Sequence, residues 1–206
     1  MSTGTKQLLD RRGPGRGDER RTALLQALEG FLADGLSLEA INIAEVSERA
    51  GVTRSAFYFY FENKAFAVAA LMDELYADAS TATDLLLSQD GEPAARIESV
   101  IRGLFASLER HLHVYRAMLE ARGTNQAVRD LWDADRSSFV APVAQMIRDE
   151  RTAGNAVAGP DAEALASVLL DLNDRALERR ARGDGPPLDQ HVEALVSLWT
   201  RSIYGV

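Results

Sequence analysis

Between residues 53 and 64 the chain sets hydroxyls, a guanidinium and an ammonium at helical spacing: Thr53, Arg54, Ser55, Tyr58, Tyr60 and Lys64, interleaved with Ala56, Phe57, Phe59 and Phe61. These groups suit a polyanion. Hydroxyls, helix N-terminal N–H groups and an ammonium are the donors that phosphate oxygens accept. A guanidinium such as that of Arg54 can make a bidentate contact to O6 and N7 of a guanine. Phe59 has no core to fill on so short a helix and can pack on a thymine methyl, with Ser55 and Ala56 on the same exposed part. Phe57 and Phe61 take the opposite assignment and are expected to be buried. Each polar residue also has a plainer reading: Thr53 as a helix cap, Tyr58 and Tyr60 as half-buried packing, Lys64 as a solvated charge.

Other chemistries find little support. The 206 residues include no Cys, which removes disulfides, thiol catalysis and thiolate-bound zinc and fits a reducing compartment. His111 and His113 point to different sides of a helix, and neither they nor His191 have a carboxylate at supporting spacing, so no metal is expected. Asp130, Asp133 and Asp135 read as a solvated face. No Gly-rich phosphate loop and no nucleophile elbow occur, so no cofactor and no enzymatic activity are expected. No apolar run approaches the ~18 residues of a membrane span, and residues 1–10 lack a signal-peptide core. The expected location is the cytoplasm.

Charge is divided unevenly. Residues 1–64 hold nine basic and nine acidic residues, whereas 65–206 hold 14 and 22 and carry the whole net charge of −8. Any nucleic-acid contact must therefore be local, because the total charge opposes adsorption by the whole surface.

These residues must be positioned by helices. Residues 1–17, rich in Gly and Arg, read as a flexible arm. Leu24, Ala27, Leu28, Phe31 and Leu32 then repeat on one helical face. Asn42 is a good N-cap with Glu45 three residues on, as in a capping box. Gly51 ends that short helix and Thr53 caps the next, which runs from Arg54 to about Tyr60. Two short helices joined by a tight Gly-containing turn are the sequence form of a helix-turn-helix, with Val46, Val52, Phe57 and Phe61 locking them together. A longer helix is expected from Lys64 into the eighties. Others follow from Pro93, from Tyr115 to Arg122, from Asn125 to about Thr152 with a kink or break at Pro142, from Asp161 to Arg182 and from Leu188 to Tyr204. The expectation is an all-α chain of about nine helices. A helix-turn-helix domain spans 18–64 and a helical bundle spans 65–206.

The run from Ala50 to Lys64, with its Ala-Gly-Val-Thr turn, aromatic block and closing Lys, resembles the DNA-binding signature of the TetR family of transcriptional regulators. Leu131-Trp132, Asn173-Asp174-Arg175 and Ser202-Ile203-Tyr204-Gly205 are similar, more narrowly, to the mycobacterial ethionamide-activator repressor branch of that family. The resemblance implies that Thr53, Tyr58, Tyr60 and Lys64 hold the DNA backbone while Arg54, Ser55, Ala56 and Phe59 face the bases. Ala44 departs from members with a charged residue there, which leaves base readout to the second helix.

The resemblance also implies a long apolar channel in the second domain, with Trp132 and Phe139 on one wall and Phe105, Leu108, Met118, Met146 and Leu172 facing them. Asn173 is the candidate polar anchor, since a buried Asn needs partners and a ligand carbonyl is one. A second Asn found three residues earlier in that branch is Leu170 here, so the anchor chemistry need not transfer. The last two helices would pair with their twins as a four-helix bundle through Leu169, Leu195 and Trp199. The function implied is a homodimeric repressor released from a pseudo-palindromic double-stranded DNA operator by a small apolar ligand. The alternative is a helical-bundle small-molecule binding protein or enzyme with a vestigial helix-turn-helix.

Overall fold

The computed structural model describes residues 16–88 and 91–205. The arm expected over 1–17 lies outside the described residues as far as residue 15, while Arg16 and Gly17 already belong to the first helix. The described chain is all-α and forms two compact units that divide between Leu71 and Met72.

The first unit holds α1 (Arg16–Ala33), α2 (Ile43–Arg49), α3 (Arg54–Tyr60) and α4 (Lys64–Leu71). Its boundary falls after α4 rather than at residue 64, because α4 packs on α1. Leu24, Leu28, Leu32, Val46, Phe57, Phe61 and Val68 form its core, and Phe31 is only half-buried. The Arg49 guanidinium lies 4.7 Å from the Phe31 ring centre. It occupies space that a Cβ on Gly30 would contest at 3.1 Å.

The second unit holds α5 (Asp73–Leu87), α6 (Pro93–Arg110), α7 (Leu112–Thr124), α8 (Gln126–Ser137), α9 (Val140–Thr152), α10 (Ala162–Arg182) and α11 (Leu188–Tyr204). Helix α10 packs on α9, α6 on α5 and α11, and α7 on α8. Two expected helices are each interrupted once, at Met72 and at Ser138–Phe139. Counted across those interruptions, the described helices number nine. The second break has a clear cause. Pro142 has no N–H to offer and its ring would strike the carbonyl of Ser138 in a continuous helix. The chain stops and restarts, leaving Pro142 in the first turn of α9, where the missing N–H costs nothing. No such signal marks Met72. Helix α7 begins at Leu112 rather than at Tyr115, so that His111 alone separates it from α6. Among the described residues no helix is long and apolar enough to cross a membrane.

Candidate nucleic-acid interface and apolar cavity

The turn between α2 and α3 is built from local hydrogen bonds. Asn42 caps α2 by accepting from the Ala44 N–H at 2.8 Å. At the other end Gly51, with φ +67, donates to Glu48 O, and Val52 donates to Ser47 O at 2.9 Å. This crossed pair satisfies the last carbonyls of α2 and requires a left-handed residue where the sequence supplies Gly. Thr53 then caps α3, its Oγ1 accepting from Ala56 N at 3.3 Å.

Helix α3 is consequently fixed with one aromatic face inward. Phe57 is fully buried and its ring centre lies 5.5 Å from that of Phe61. Thr53, Arg54, Ser55, Tyr58 and Phe59 are exposed, and Ala56 and Tyr60 are half-buried. Phe59 is 70% exposed and stacks edge-on against Tyr60. Arg54 reaches along the helix to Tyr58, donating to its hydroxyl at 3.4 Å with the guanidinium 5.8 Å from the ring centre.

Lys64 departs from its expected role. Its ammonium donates to the carbonyl oxygens of Leu38 at 2.6 Å, Glu39 at 3.0 Å and Ile41 at 2.6 Å. An ammonium has three N–H groups, and all three are spent within the unit. Burial lowers its pKa, against the pull of Glu39. Lys64 is therefore a clasp between α4 and the chain leading into α2, not a free phosphate ligand.

In the second unit a cavity lies among α5, α6, α7, α8, α9, α10 and α11. Leu75, Ala79, Leu86, Leu104, Val143 and Leu177 make its apolar wall. Of the expected ligand residues, Phe139 and Asn173 line it. Phe105, Leu108, Met118 and Trp132 do not, because they are packed into the core without reaching the space. Met146 lines a separate pocket beside Pro142 and Glu150. Leu172 is exposed on the outside of α10. Trp132 instead packs against two guanidinium groups, Arg136 at 4.3 Å and Arg122 at 5.0 Å from its ring centre.

The residues expected at a dimer face are also inside. Leu169, Leu195 and Trp199 are buried within the protomer. Trp199 lines the cavity and donates from Nε1 to Asn173 Oδ1 at 3.2 Å. The reason is angular. Leu169, Asn173, Ala176 and Leu177 make the inner face of α10, and one residue back is ~100° around the helix. That rotation brings Val168 and Leu172 outward, with Leu198 outward on α11.

The sequence reading missed the cavity's polar corner: Tyr115, Arg136 and Asp174. Arg136 and Asp174 form an ion pair. Burial raises the Asp174 carboxyl to about 6 against the influence of Arg136. Among the described residues the buried Tyr115 hydroxyl has no hydrogen-bond partner, and desolvation raises its pKa. The α5 wall was legible, since Leu75, Ala79, Ala82 and Leu86 follow helical spacing. The corner was not, because it joins α7, α8 and α10 across long sequence separations. Among the described residues no group of three or more His, Cys, Asp or Glu is placed to hold a metal ion, and the His191 ring packs against Phe105.

A helix-turn-helix with an exposed, donor-bearing second helix, joined to a helical unit built around an apolar cavity, is the architecture of a DNA-binding regulator. Residues 97–205 match the family model "Transcriptional regulator EthR, C-terminal domain", and residues 35–71 match "Bacterial regulatory proteins, tetR family". The chain is 32% identical over 193 residues to the HTH-type transcriptional regulator EthR of Mycobacterium tuberculosis, covering 92% of this chain and 89% of that protein. The chain belongs to the TetR family of bacterial transcriptional regulators, in its EthR branch. The fold is shared with a putative TetR-family regulator from Mesorhizobium loti (TM-score 0.72, 18% identity, covering 93% of this chain and 100% of that one). It is shared also with NalD, the secondary repressor of the MexAB-OprM efflux pump in Pseudomonas aeruginosa (TM-score 0.69, 19% identity, 91% and 98% covered). Family membership sets aside the enzyme alternative: the protein is a transcriptional regulator.

Proposed function

We propose that the protein is a homodimeric repressor whose α3 helices enter successive major grooves of a pseudo-palindromic operator, about 34–36 Å apart. A small apolar ligand in the cavity of the second unit favours a state with different spacing and so releases the DNA. The observation that carries the DNA reading is Phe59. It stands 70% exposed, beside Arg54 and Tyr58, on a helix whose other aromatic face is fully used. Thr53, Ser55, Ala56 and Tyr60 flank it as backbone and groove contacts. The cavity, apolar but for one corner, supports the ligand reading. A ligand shifts DNA affinity only by its differential affinity for the two states.

The dimer is assigned to the outward residues of the last two helices. Val168 and Leu172 are exposed four residues apart on α10, and Leu198 is exposed on α11. Such a regulator works in the cytoplasm, which accords with the lack of a membrane-crossing helix among the described residues.

The test is fluorescence anisotropy of the purified protein on DNA from upstream of its own gene, at two salt concentrations. Tight, sequence-dependent and salt-sensitive binding is expected, because phosphate contacts release counterions. Equal affinity for random DNA would overturn the reading.

A further inference from the structure

The Arg136–Asp174 ion pair borders two spaces at once. It lines the apolar cavity, and with Trp132, Asp133, Ser137 and Asp171 it also lines a groove bordered by α7, α8 and α10. Among the described residues these two side chains, and no others, are common to both spaces. The groove is open to water, since Asp133, Ser137 and Asp171 are exposed. Helix α8 packs on α7 and α9, and α10 packs on α6, α7, α9 and α11. The ion pair spans the gap between α8 and α10, so a partition made of two side chains stands between the cavity and solvent.

Such a partition is light. The Arg136 side chain is 18% exposed and that of Asp174 30%, and an ion pair with access to water holds its members weakly. Arg suits the position, because its apolar stem can cover an apolar space while its head stays wet. The guanidinium lies 4.3 Å from the ring centre of Trp132, which is wholly buried and offers it a fixed platform. A second carboxylate stands in the groove. Asp171 precedes Asp174 by one turn of α10 and is near enough to act on it electrostatically. Among the described residues Asp171 makes no ion pair, so it is free to receive a guanidinium. In moving from Asp174 to Asp171, Arg136 exchanges one carboxylate for another.

We propose that the Arg136–Asp174 pair is the gate through which the effector enters and leaves the cavity, opening when Arg136 swings from Asp174 to Asp171; this rests on the reading of the cavity as the effector site. The gate sets how fast a ligand is exchanged more than how tightly it is held, because it acts on the path rather than on the bound state.

The probe is the neutral fluorophore N-phenyl-1-naphthylamine. Its association with the full chain is followed by stopped flow and its dissociation by dilution. Arg136→Met unlatches the gate and should raise both rates together, about fivefold, with Kd within about threefold of wild type. Asp171→Asn removes the partner of the open position and should slow both rates about threefold, although Asp171 lines no part of the cavity. The chain has no Cys, so Ser137→Cys sets a unique thiol in the groove. Coupling that thiol to N-cyclohexylmaleimide plugs the groove and should slow both rates about tenfold, with Kd unchanged. Ala79→Phe fills the cavity itself and should weaken the probe at equilibrium. Exchange indifferent to Arg136→Met, to Asp171→Asn or to the Cys label overturns the gate and leaves the cavity reading standing. Failure of the probe to bind, or binding indifferent to Ala79→Phe, overturns the cavity reading and the gate with it.

Discussion

The ammonium of Lys64 lies 2.6 Å from the carbonyl oxygen of Ile41, the residue before the cap of α2. Carbonyls of Leu38 and Glu39 complete its coordination. The first residue of α4 therefore holds the chain that delivers α2 to the helix-turn-helix. Replacing Lys64 with Met keeps the stem and removes the donors. A stability loss of about 2 kcal/mol is expected, since three carbonyls lose a charged partner. Thermal unfolding measures that loss. The slope of log affinity against log salt for operator DNA should stay as in wild type. A slope smaller by about one, with Tm unchanged, would return Lys64 to the phosphate backbone.

Arg54 is the converse case. It is exposed and, among the described residues, is steadied by Tyr58 on its own helix. Arg54→Ala should leave stability within about 0.5 kcal/mol of wild type. It should cost about 1–3 kcal/mol of operator affinity if its guanidinium reads a guanine, with relaxed preference at that base pair. Anisotropy on a set of single-substitution operators checks both. Uniform weakening across the set would make Arg54 a backbone contact instead.

The helix-turn-helix was open to sequence reading because its determinants are local. Asn42, Gly51 and Thr53 each act within a few residues, and the caps and the positive φ stand where their types require. The break before Pro142 was legible for the same reason. Lys64 was not, because its partners lie 23–26 residues earlier and are backbone atoms without a sequence signature. The cavity was legible only as apolar stripes. Which stripe lines a space and which packs solid depends on how seven helices meet, and a slip of one position separates buried Leu169 from exposed Val168.

The exposed apolar residues of α10 and α11 lead to a test of assembly. Leu172→Asp together with Leu198→Asp should convert the dimer to a monomer, read by sedimentation velocity, because each places a charge in the apolar surface proposed as the interface. Secondary structure should be unchanged, as neither side chain is in the protomer core. Operator affinity should fall with dimerisation. A dimer that survives both substitutions would place the interface elsewhere.

Arg96 and Glu150 form an ion pair at 3.0 Å with both side chains more than nine-tenths buried. Arg96 also donates to Ser88 O, and Asn155 donates to Glu150 Oε2 at 3.0 Å. Removing one partner leaves the other charge unpaired in the interior. Glu150→Ala should therefore destabilise by about 3–5 kcal/mol. Arg96→Met combined with Glu150→Leu should cost clearly less than the single change, since two apolar groups leave no orphaned charge. Urea unfolding of the three proteins gives the comparison. Equal losses in the single and double variants would show the pair to be worth its full interaction energy.

Asp174 makes the pH dependence of the second unit testable, and the sign follows from its pKa. Burial raises the carboxyl to about 6 despite Arg136, whereas an unfolded Asp titrates near ~3.9. Between these values the folded protein holds a proton that the unfolded chain has released. On this group's account stability therefore falls as pH rises from about 4 to about 6 and is level above. Many other groups titrate in the same range, so the informative quantity is the stability of wild type minus that of Asp174→Asn, which does not titrate. That difference should fall by roughly 1 kcal/mol between pH 5 and pH 7, the side chain's partial exposure making this an upper figure. A difference that rises with pH would mean that the pairing with Arg136 outweighs burial.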